Sequence, residues 1–347
     1  MNDETIRVGF VGAGQNTRAM HIPGFQKIEG VELVSVCNRS RQSGQRVAEE
    51  FQIPEVFESW VDLVEDPGTN AICIGTWPYM HCTLVLAALQ NEKHVLTEAR
   101  MAMDAEEAHI MLDASRAHAH LVTQVVPAPM TLKVDRLVQE FIADGYLGDV
   151  LSVDLTSHIG DFVDFDGPHQ WRSDRDLSGF NIMHLGIWYE ALMRWVGPAS
   201  SVLSLSRVHV KTRRDEGGNA RFITIPDHIE LLCEFESGPV GHLRFSSVTG
   251  LAPPDQIWLY GTEGTLRVDT STMTLYGGRR GDSQLSEIEV PAEKQGGWRV
   301  EEEFVNAIRG LEPVTRTNFE DGVRYMEFTE AVTRSAQSGK KIPLPLY

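Results

Sequence analysis

A short apolar run, Ile6 to Val11, meets the turn Gly12-Ala13-Gly14. Glycine at 12 permits a tight turn, and glycine at 14 lets the backbone approach a bulky anion. The helix that follows would aim free N–H groups and a positive dipole end at that anion, the arrangement that seats a dinucleotide pyrophosphate. The third glycine of this fingerprint is replaced by Thr17, small enough to pack near the strand. A second apolar run, Val31 to Cys37, ends at Asn38-Arg39-Ser40-Arg41, where a ribose-reading group would sit. Asn38 can bond a ribose hydroxyl, and Arg39 and Arg41 can pair with a 2′-phosphate. That leaves NAD and NADP both open, with a slight lean to NADP. The competing explanation is a solvated basic loop.

Two other groups of residues could do chemistry. His184 titrates near neutral pH and could move a proton, but its neighbours Ile182, Met183, Leu185 and Ile187 also suit a core histidine. The stretch from His158 to Asp174 is rich in polar side chains. His158, Asp164, Asp166 and His169 could in principle hold Mn or Zn. Their spacing fits no tight metal motif, so no metal is expected; an acidic surface loop is the simplest account. There is no Gly-x-Ser-x-Gly elbow and no P-loop.

These residues must be positioned by a chain of 347 residues, enough for two domains. With 31 basic and 49 acidic residues the formal charge is −18, which argues against nucleic acid or an anionic membrane as partner. No apolar run approaches the roughly 18–20 residues of a membrane span. The acidic start Met1-Asn2-Asp3-Glu4 does not read as a signal peptide. Cys37, Cys73, Cys82 and Cys233 lack Cys-x-x-Cys spacing and fall in mostly apolar segments. Buried free thiols in a reducing cytoplasm are expected.

Up to about residue 125 strand and helix patterns alternate, implying a parallel sheet covered on both faces. Strands are expected at 6–11, 31–37, 71–75, 93–97 and 121–125, and helices at 17–29, 40–51, 58–65, 79–91 and 104–118. Pro127-Ala128-Pro129 marks a boundary. After a helix at 131–143, strands are expected at 150–158, 201–212, 227–236, 239–249, 256–261, 264–269, 272–276 and 285–290. A helix at 180–196 interrupts them, 213–218 reads as an exposed loop, and helices near 298–310 and 320–338 close the chain. The predicted architecture is an α/β Rossmann domain over 1–126, followed over 127–347 by an α+β domain with a large, mostly antiparallel mixed sheet. The last helix is a candidate to pack back on the first domain.

Four landmarks, in consistent order, resemble the Gfo/Idh/MocA oxidoreductases. They are Gly12-Ala13-Gly14; Thr76-Trp77-Pro78-Tyr79-Met80-His81, similar to Thr-Pro-Asn-x-x-His; Lys93-His94-Val95-Leu96-Thr97-Glu98-Ala99-Arg100, similar to Lys-His-Val-x-x-Glu-Lys-Pro; and Gly261-Thr262-Glu263-Gly264, matching Gly-Thr-Glu-Gly. The resemblance implies nucleotide binding by Gly12, Gly14, Gln15, Asn16, Asn38, Arg39, Ser40, Thr76, Trp77, His81 and Glu98, with Glu98 facing the nicotinamide ribose. It also implies a homo-oligomer formed through the open face of the second sheet.

The family's catalytic positions are altered. Its usual lysine is Ala99 and its proline Arg100. Its aspartate is His184 and its histidine Trp188. Ala99 carries no charge, and Trp188 donates a hydrogen bond but takes no proton near neutral pH. The resemblance therefore leaves His184 as proton carrier, Arg100 to orient a substrate oxygen, and Trp188 as pocket wall. His158, His169, Arg172 and Asp174 would be substrate contacts, Trp171-Arg172-x-Asp174 resembling a stretch that reaches over substrate. The implied activity is NAD(P)-dependent oxidation or reduction of a sugar-like or other hydroxylated small molecule. Two alternatives stay open: a redox-neutral lyase or glycosidase that retains its nucleotide, and a non-catalytic nucleotide-binding protein.

Overall fold

The computed structural model describes residues 5–347, so the reading of Met1 to Glu4 lies outside the described residues. The chain divides into two compact units, 1–127 with 299–323, and 128–298 with 324–347. The sequence reading keeps everything after residue 126 in one domain; 299–323 instead clusters with the first unit. Two backbone bonds tie it there, Val125 N–H to the Thr317 carbonyl (2.9 Å) and Thr317 N–H back to Val125 (3.2 Å). The Gln124 amide also donates to Glu303 (2.9 Å). Such pairings across nearly two hundred residues leave no local signature.

The first unit is built on β1 (Ile6–Val11), β2 (Val31–Cys37), β3 (Glu55–Phe57), β4 (Ala71–Ile74), β5 (His94–Thr97) and β6 (Thr123–Val125). All pair in parallel, in the order β3-β2-β1-β4-β5-β6. Every residue of β4 and all but one of β1 are buried, as expected of central strands covered on both faces. The order reverses between β1 and β4, and ligands of such sheets bind beyond the carboxyl ends of the strands at that reversal.

The covering helices include α1 (Ile22–Phe25), α2 (Arg41–Phe51), α3 (Trp60–Glu65), α4 (His81–Gln90) and α5 (Ala105–Ala117). The Ser40 hydroxyl caps α2 by accepting the Ser43 N–H (3.3 Å), and Asp104 caps α5 by accepting the Glu107 N–H (2.9 Å). The regular helix expected over 17–29 is not formed. A π-helical turn, Thr17–His21, precedes the single turn of α1, with Pro23 in its first turn. Proline removes one donor from the helical ladder, and the wider turn absorbs an extra residue.

The second unit contains α6 (Leu132–Ala143), β7 (Val150–His158), α7 (Arg175–Ser178), α8 (Leu185–Val196) and β8 (Ala199–Arg207). There follow β9 (Thr212–Arg214), β10 (Ala220–Phe222), β11 (His228–Phe235), β12 (Val240–Ser246), β13 (Gln256–Gly261), β14 (Gly264–Asp269), β15 (Thr274–Arg279), β16 (Ser286–Ile288) and β17 (Ile342–Pro343). Nine strands form one sheet in the order β16-β15-β14-β13-β7-β12-β11-β8-β17. Only β12 and β7 pair in parallel. Burial alternates along β11, β12 and β14, so one face is covered and the other open. On the covered side Tyr189 of α8 stacks on Phe328 at 3.6 Å, and its hydroxyl accepts the Ala199 N–H (2.7 Å).

Two local expectations differ. The strand expected over 201–212 ends at Arg207, and Thr212–Arg214 pairs instead with Ala220–Phe222 in a separate hairpin whose exposed turn holds 215–218 of the expected loop. The helix expected from 180 begins at Leu185. Asn181 turns back to the Ser178 carbonyl (2.7 Å), and Met183 takes a positive φ of 43°, which no helix accommodates.

Candidate functional site

In the first unit the turn after β1 interlocks with the turn after β4. Gly12 has φ +84°, and a Cβ there would lie 2.7 Å from the backbone nitrogen and methyl of Thr76. Gly75 is tighter still, since a Cβ would fall 2.2 Å from the Gly12 carbonyl oxygen. Gly14 differs: it is exposed, and the nearest atom to a Cβ there is 3.7 Å away. The chain itself does not demand glycine at 14, and the space beside it is what an approaching pyrophosphate needs. Gln15 and Asn16 are exposed at the same mouth. Thr17, in the place of the third glycine, is buried and donates to the Gly12 carbonyl (3.3 Å).

At the end of β2 the Asn38 side chain is turned inward. Its oxygen accepts the Ala13 N–H (2.7 Å) and its nitrogen donates to Ser43 (3.1 Å). It fixes the glycine turn, which leaves one oxygen lone pair and one N–H for a ribose. Arg41 pairs with Glu58, and the Ser40 hydroxyl serves as helix cap. Arg39 is exposed, its guanidinium 5.9 Å above the Trp77 ring. His81 is fully buried. Its ring nitrogens face the carbonyls of Arg100 (2.9 Å) and Thr76 (3.0 Å), and burial pulls its proton affinity down. It therefore clamps two turns together and offers no surface to a nucleotide, correcting the reading of it as a direct contact. Arg100 is only 6% exposed, so little of it remains for a substrate oxygen to reach.

Glu98 follows β5 at the crevice, with Asn16 donating to one carboxylate oxygen. No local pattern points to its other partner. His21, fully buried, lies 3.0 Å from that oxygen and 2.5 Å from Glu301 of the helix Val300–Ile308. Burial disfavours charge on the ring, but the bonds to Glu301 and Glu98 outweigh it and raise its pKa to about 9. The same imidazolium holds the Glu98 carboxyl below its ordinary range despite burial. No local pattern pairs residues 280 positions apart.

The second unit contains a cavity of about 510 Å³. Its apolar wall includes Ile159, Phe162, Met183, Val210, Ile223 and Ile225, and its polar groups include Arg172, His184, Arg213 and Asp227. His184 is exposed at the N-cap position of α8, which removes the core-histidine explanation. The positive φ of Met183 just before it is backbone strain of the kind concentrated at functional sites. Asp227 is held by the His209 N–H (2.9 Å), the Val210 N–H (2.8 Å) and the His209 ring (2.9 Å).

Of His158, His169, Arg172, Asp174 and Trp188, only Arg172 lines this cavity, its guanidinium 4.3 Å over Trp171. Trp188 is buried and its indole donates to Ser157 (3.1 Å), which makes it a support. Asp174 caps α7 by accepting the Asp176 N–H (2.9 Å), and His169 lies 3.8 Å from it. The backbone of His158 donates to Asp255 (2.6 Å), and among the described residues its buried Nδ1 has no hydrogen-bond partner. Asp227 and Arg213 were missed because they come from the segment before β11 and from a hairpin too polar to read as strands. Among the described residues no three His, Cys, Asp or Glu side chains could hold a metal, and all four cysteines are free and buried. No helix among them is long and apolar enough to cross a membrane.

Residues 6–125 match the oxidoreductase family described as having an NAD-binding Rossmann fold, and residues 136–267 match that family's C-terminal domain. An uncharacterised oxidoreductase of Synechocystis is 23% identical over 277 residues, spanning 78% of this chain and 73% of its own. The 1,5-anhydro-D-fructose reductase of Ensifer adhaerens is 26% identical over 345 residues, 96% of this chain and 97% of its own. Among solved structures, a levoglucosan dehydrogenase in complex with NADH and L-sorbose superposes with a TM-score of 0.87 at 19% identity, over 98% of this chain and 99% of that one, a likeness of fold. With both of its domains matched in order, the chain belongs to the Gfo/Idh/MocA oxidoreductase family.

Proposed function

We propose that the protein is an NAD(P)-dependent oxidoreductase that acts on a sugar-like hydroxylated small molecule, with His184 moving the proton. The observation that carries this is an exposed imidazole on the wall of a cavity that combines polar groups, Arg172, Asp227 and His184 among them, with apolar walls. Among the altered family positions Ala99, Arg100, His184 and Trp188, only His184 carries a group that exchanges a proton near neutral pH. When bound, the nicotinamide accepts or supplies the hydride. In the oxidation direction the His184 imidazole takes the proton of the substrate hydroxyl as the carbonyl forms; in reduction it returns it. Asp227, fixed by the 209–210 backbone, accepts a further substrate hydroxyl. Residues 158, 169, 174 and 188 support the walls around this site.

For the coenzyme we favour NADP. Asn38 is turned to Ala13 and Ser43, the segment Asn38-Arg39-Ser40-Arg41 after β2 has no acidic residue, and Arg39 is exposed where a 2′-phosphate would lie. We also propose a homo-oligomer through the open sheet face, where Leu203, Leu205, Leu232 and Val240 are 41–56% exposed. The free buried cysteines support a reducing compartment such as the cytoplasm.

The test is a steady-state assay of NADP and NAD reduction, followed by absorbance, over aldoses, polyols and anhydro-sugars. His184→Ala should lower kcat by about 10²–10⁴ and leave coenzyme affinity unchanged. A variant that keeps wild-type kcat removes His184 from the chemistry.

A further inference from the structure

We propose that His21 is a positioning residue, held as an imidazolium between Glu98 and Glu301 so that Glu98 stays ionised and aimed at the coenzyme crevice. The inference rests on the nucleotide-binding reading of the first unit. Its geometric basis is that both ring nitrogens face carboxylate oxygens, Nδ1 at 2.5 Å from Glu301 and Nε2 at 3.0 Å from Glu98. A neutral imidazole has one N–H and one lone pair, so it can donate to one carboxylate only and must turn a lone pair on the other. The doubly protonated ring donates to both.

The two carboxylates are not equivalent. The Glu301 side chain is 4% exposed and the Glu98 side chain 14%. Glu301 is the internal counter-charge, and Gly24 makes room for it, because a Cβ there would fall 2.5 Å from its carboxylate. Glu98 reaches the crevice. Its Oε1 takes Asn16 and His21, while Oε2 takes the Ala99 N–H at 3.2 Å and keeps acceptor capacity for a ribose hydroxyl. The π-helical turn is what sets the ring between the two acids, since His21 is its last residue.

The other groups facing this cluster do not supply the charge. Burial and the two carboxylates push the Cys73 thiol well up, which keeps it neutral, and burial pulls the proton affinity of the His81 ring down although carbonyls face both its nitrogens. Without the imidazolium, two carboxylates would share a buried site, and one of them would take a proton or turn away. Glu98 then loses its charge or its direction, although it is His21 that has changed.

The test uses the full chain with ¹⁵N-labelled histidine. His21, assigned by its loss in His21→Asn, should be doubly protonated at pH 7.5 and titrate near pH 9, and in Glu301→Gln the titration should move down by a unit or more. NADPH affinity, measured by fluorescence from pH 6.5 to 10, should fall about tenfold as the pH passes 9, the weight of one hydrogen bond to a charged group. That limb should shift toward neutral in Glu301→Gln. In His21→Asn it should vanish, with affinity already about tenfold weaker at pH 7.5. A purely structural His21 would lower the melting temperature and leave the limb of Glu301→Gln near 9, which overturns the proposal. So does a ring that is neutral at pH 7.5. If the wild type binds neither NADPH nor NADH at any pH, the nucleotide reading falls and this inference with it, whatever the ring titration shows.

Discussion

Gly12 and Gly14 are two residues apart, and alanine at each should fail in opposite ways. At Gly12 the backbone is left-handed, and a Cβ would sit 2.7 Å from the backbone nitrogen of Thr76. A non-glycine residue in such a conformation costs about 1–3 kcal/mol, and crowding that cannot relax adds about 1–3 kcal/mol more. Gly12→Ala should thus lose about 2–6 kcal/mol, which for a unit of this size is roughly 4–24 °C in Tm. At Gly14 the φ is one that alanine accepts, and the methyl has its nearest neighbour at 3.7 Å. Stability should change by less than about 1 kcal/mol, in either direction. The same methyl occupies the approach of the pyrophosphate. Losing two backbone hydrogen bonds to a charged group at about 1.5 kcal/mol each gives roughly 3 kcal/mol, on the order of a hundredfold in Kd. Thermal melting and NADPH titration of the two variants decide the matter. A Gly14→Ala protein that binds NADPH within about threefold of wild type would refute the placement of the pyrophosphate. A Gly12→Ala protein as stable as wild type would refute the steric argument.

Arg39→Asp should weaken NADPH at least tenfold and leave NADH within about threefold, as loss of a charged hydrogen bond predicts; equal losses for both coenzymes would place Arg39 elsewhere than on the 2′-phosphate. Arg194 bridges the buried carboxylates of Asp135 and Glu190, each at 3.1 Å. Arg194→Met should cost about 3–5 kcal/mol by denaturant unfolding, and a loss under about 1 kcal/mol would show the cluster to be solvated. The raised pKa of His21 also links folding to pH. The folded value, about 9, lies above the ordinary 6.5. Its contribution, on the order of 3 kcal/mol, is fully present below pH 6.5 and lost as the pH rises toward 9. Stability should therefore fall over that interval in wild type and less steeply in His21→Asn; parallel curves would contradict it. The open sheet face predicts a dimer or larger by light scattering at micromolar concentration, against a monomer if that face is unpartnered.

What was legible in the sequence is what local physics determines. β4 is a continuous apolar run because both faces of the sheet are covered there, and β1, β2 and β5 are mostly apolar, so such runs can be read directly. Gly12 was legible because only glycine fits a left-handed turn pressed against Thr76. β3 was not, being three residues with no alternation. His184 was drawn into a helix by its apolar neighbours, because the turn at Asn181 and the positive φ of Met183 carry no compositional mark. His21 and Glu301 were invisible for a different reason. Glu301 lies in the run Glu301-Glu302-Glu303, which looks like a solvated face, yet Glu301 and Glu303 are buried against partners far away in sequence. Asp227 precedes β11 as an ordinary turn acid, and its role depends on the loop at 209–210 that grips it.

Oxidoreductase chemistry in this protein depends on a dissociable coenzyme site. It is tested most directly on freshly purified protein, by denaturing a sample, identifying any released nucleotide by mass spectrometry, and titrating the emptied protein with NADPH and NADH by fluorescence. Exchangeable binding with NADPH the tighter is the expected result. A stoichiometric nucleotide that never exchanges would point to redox-neutral chemistry, and no binding of either coenzyme would contradict the claim outright.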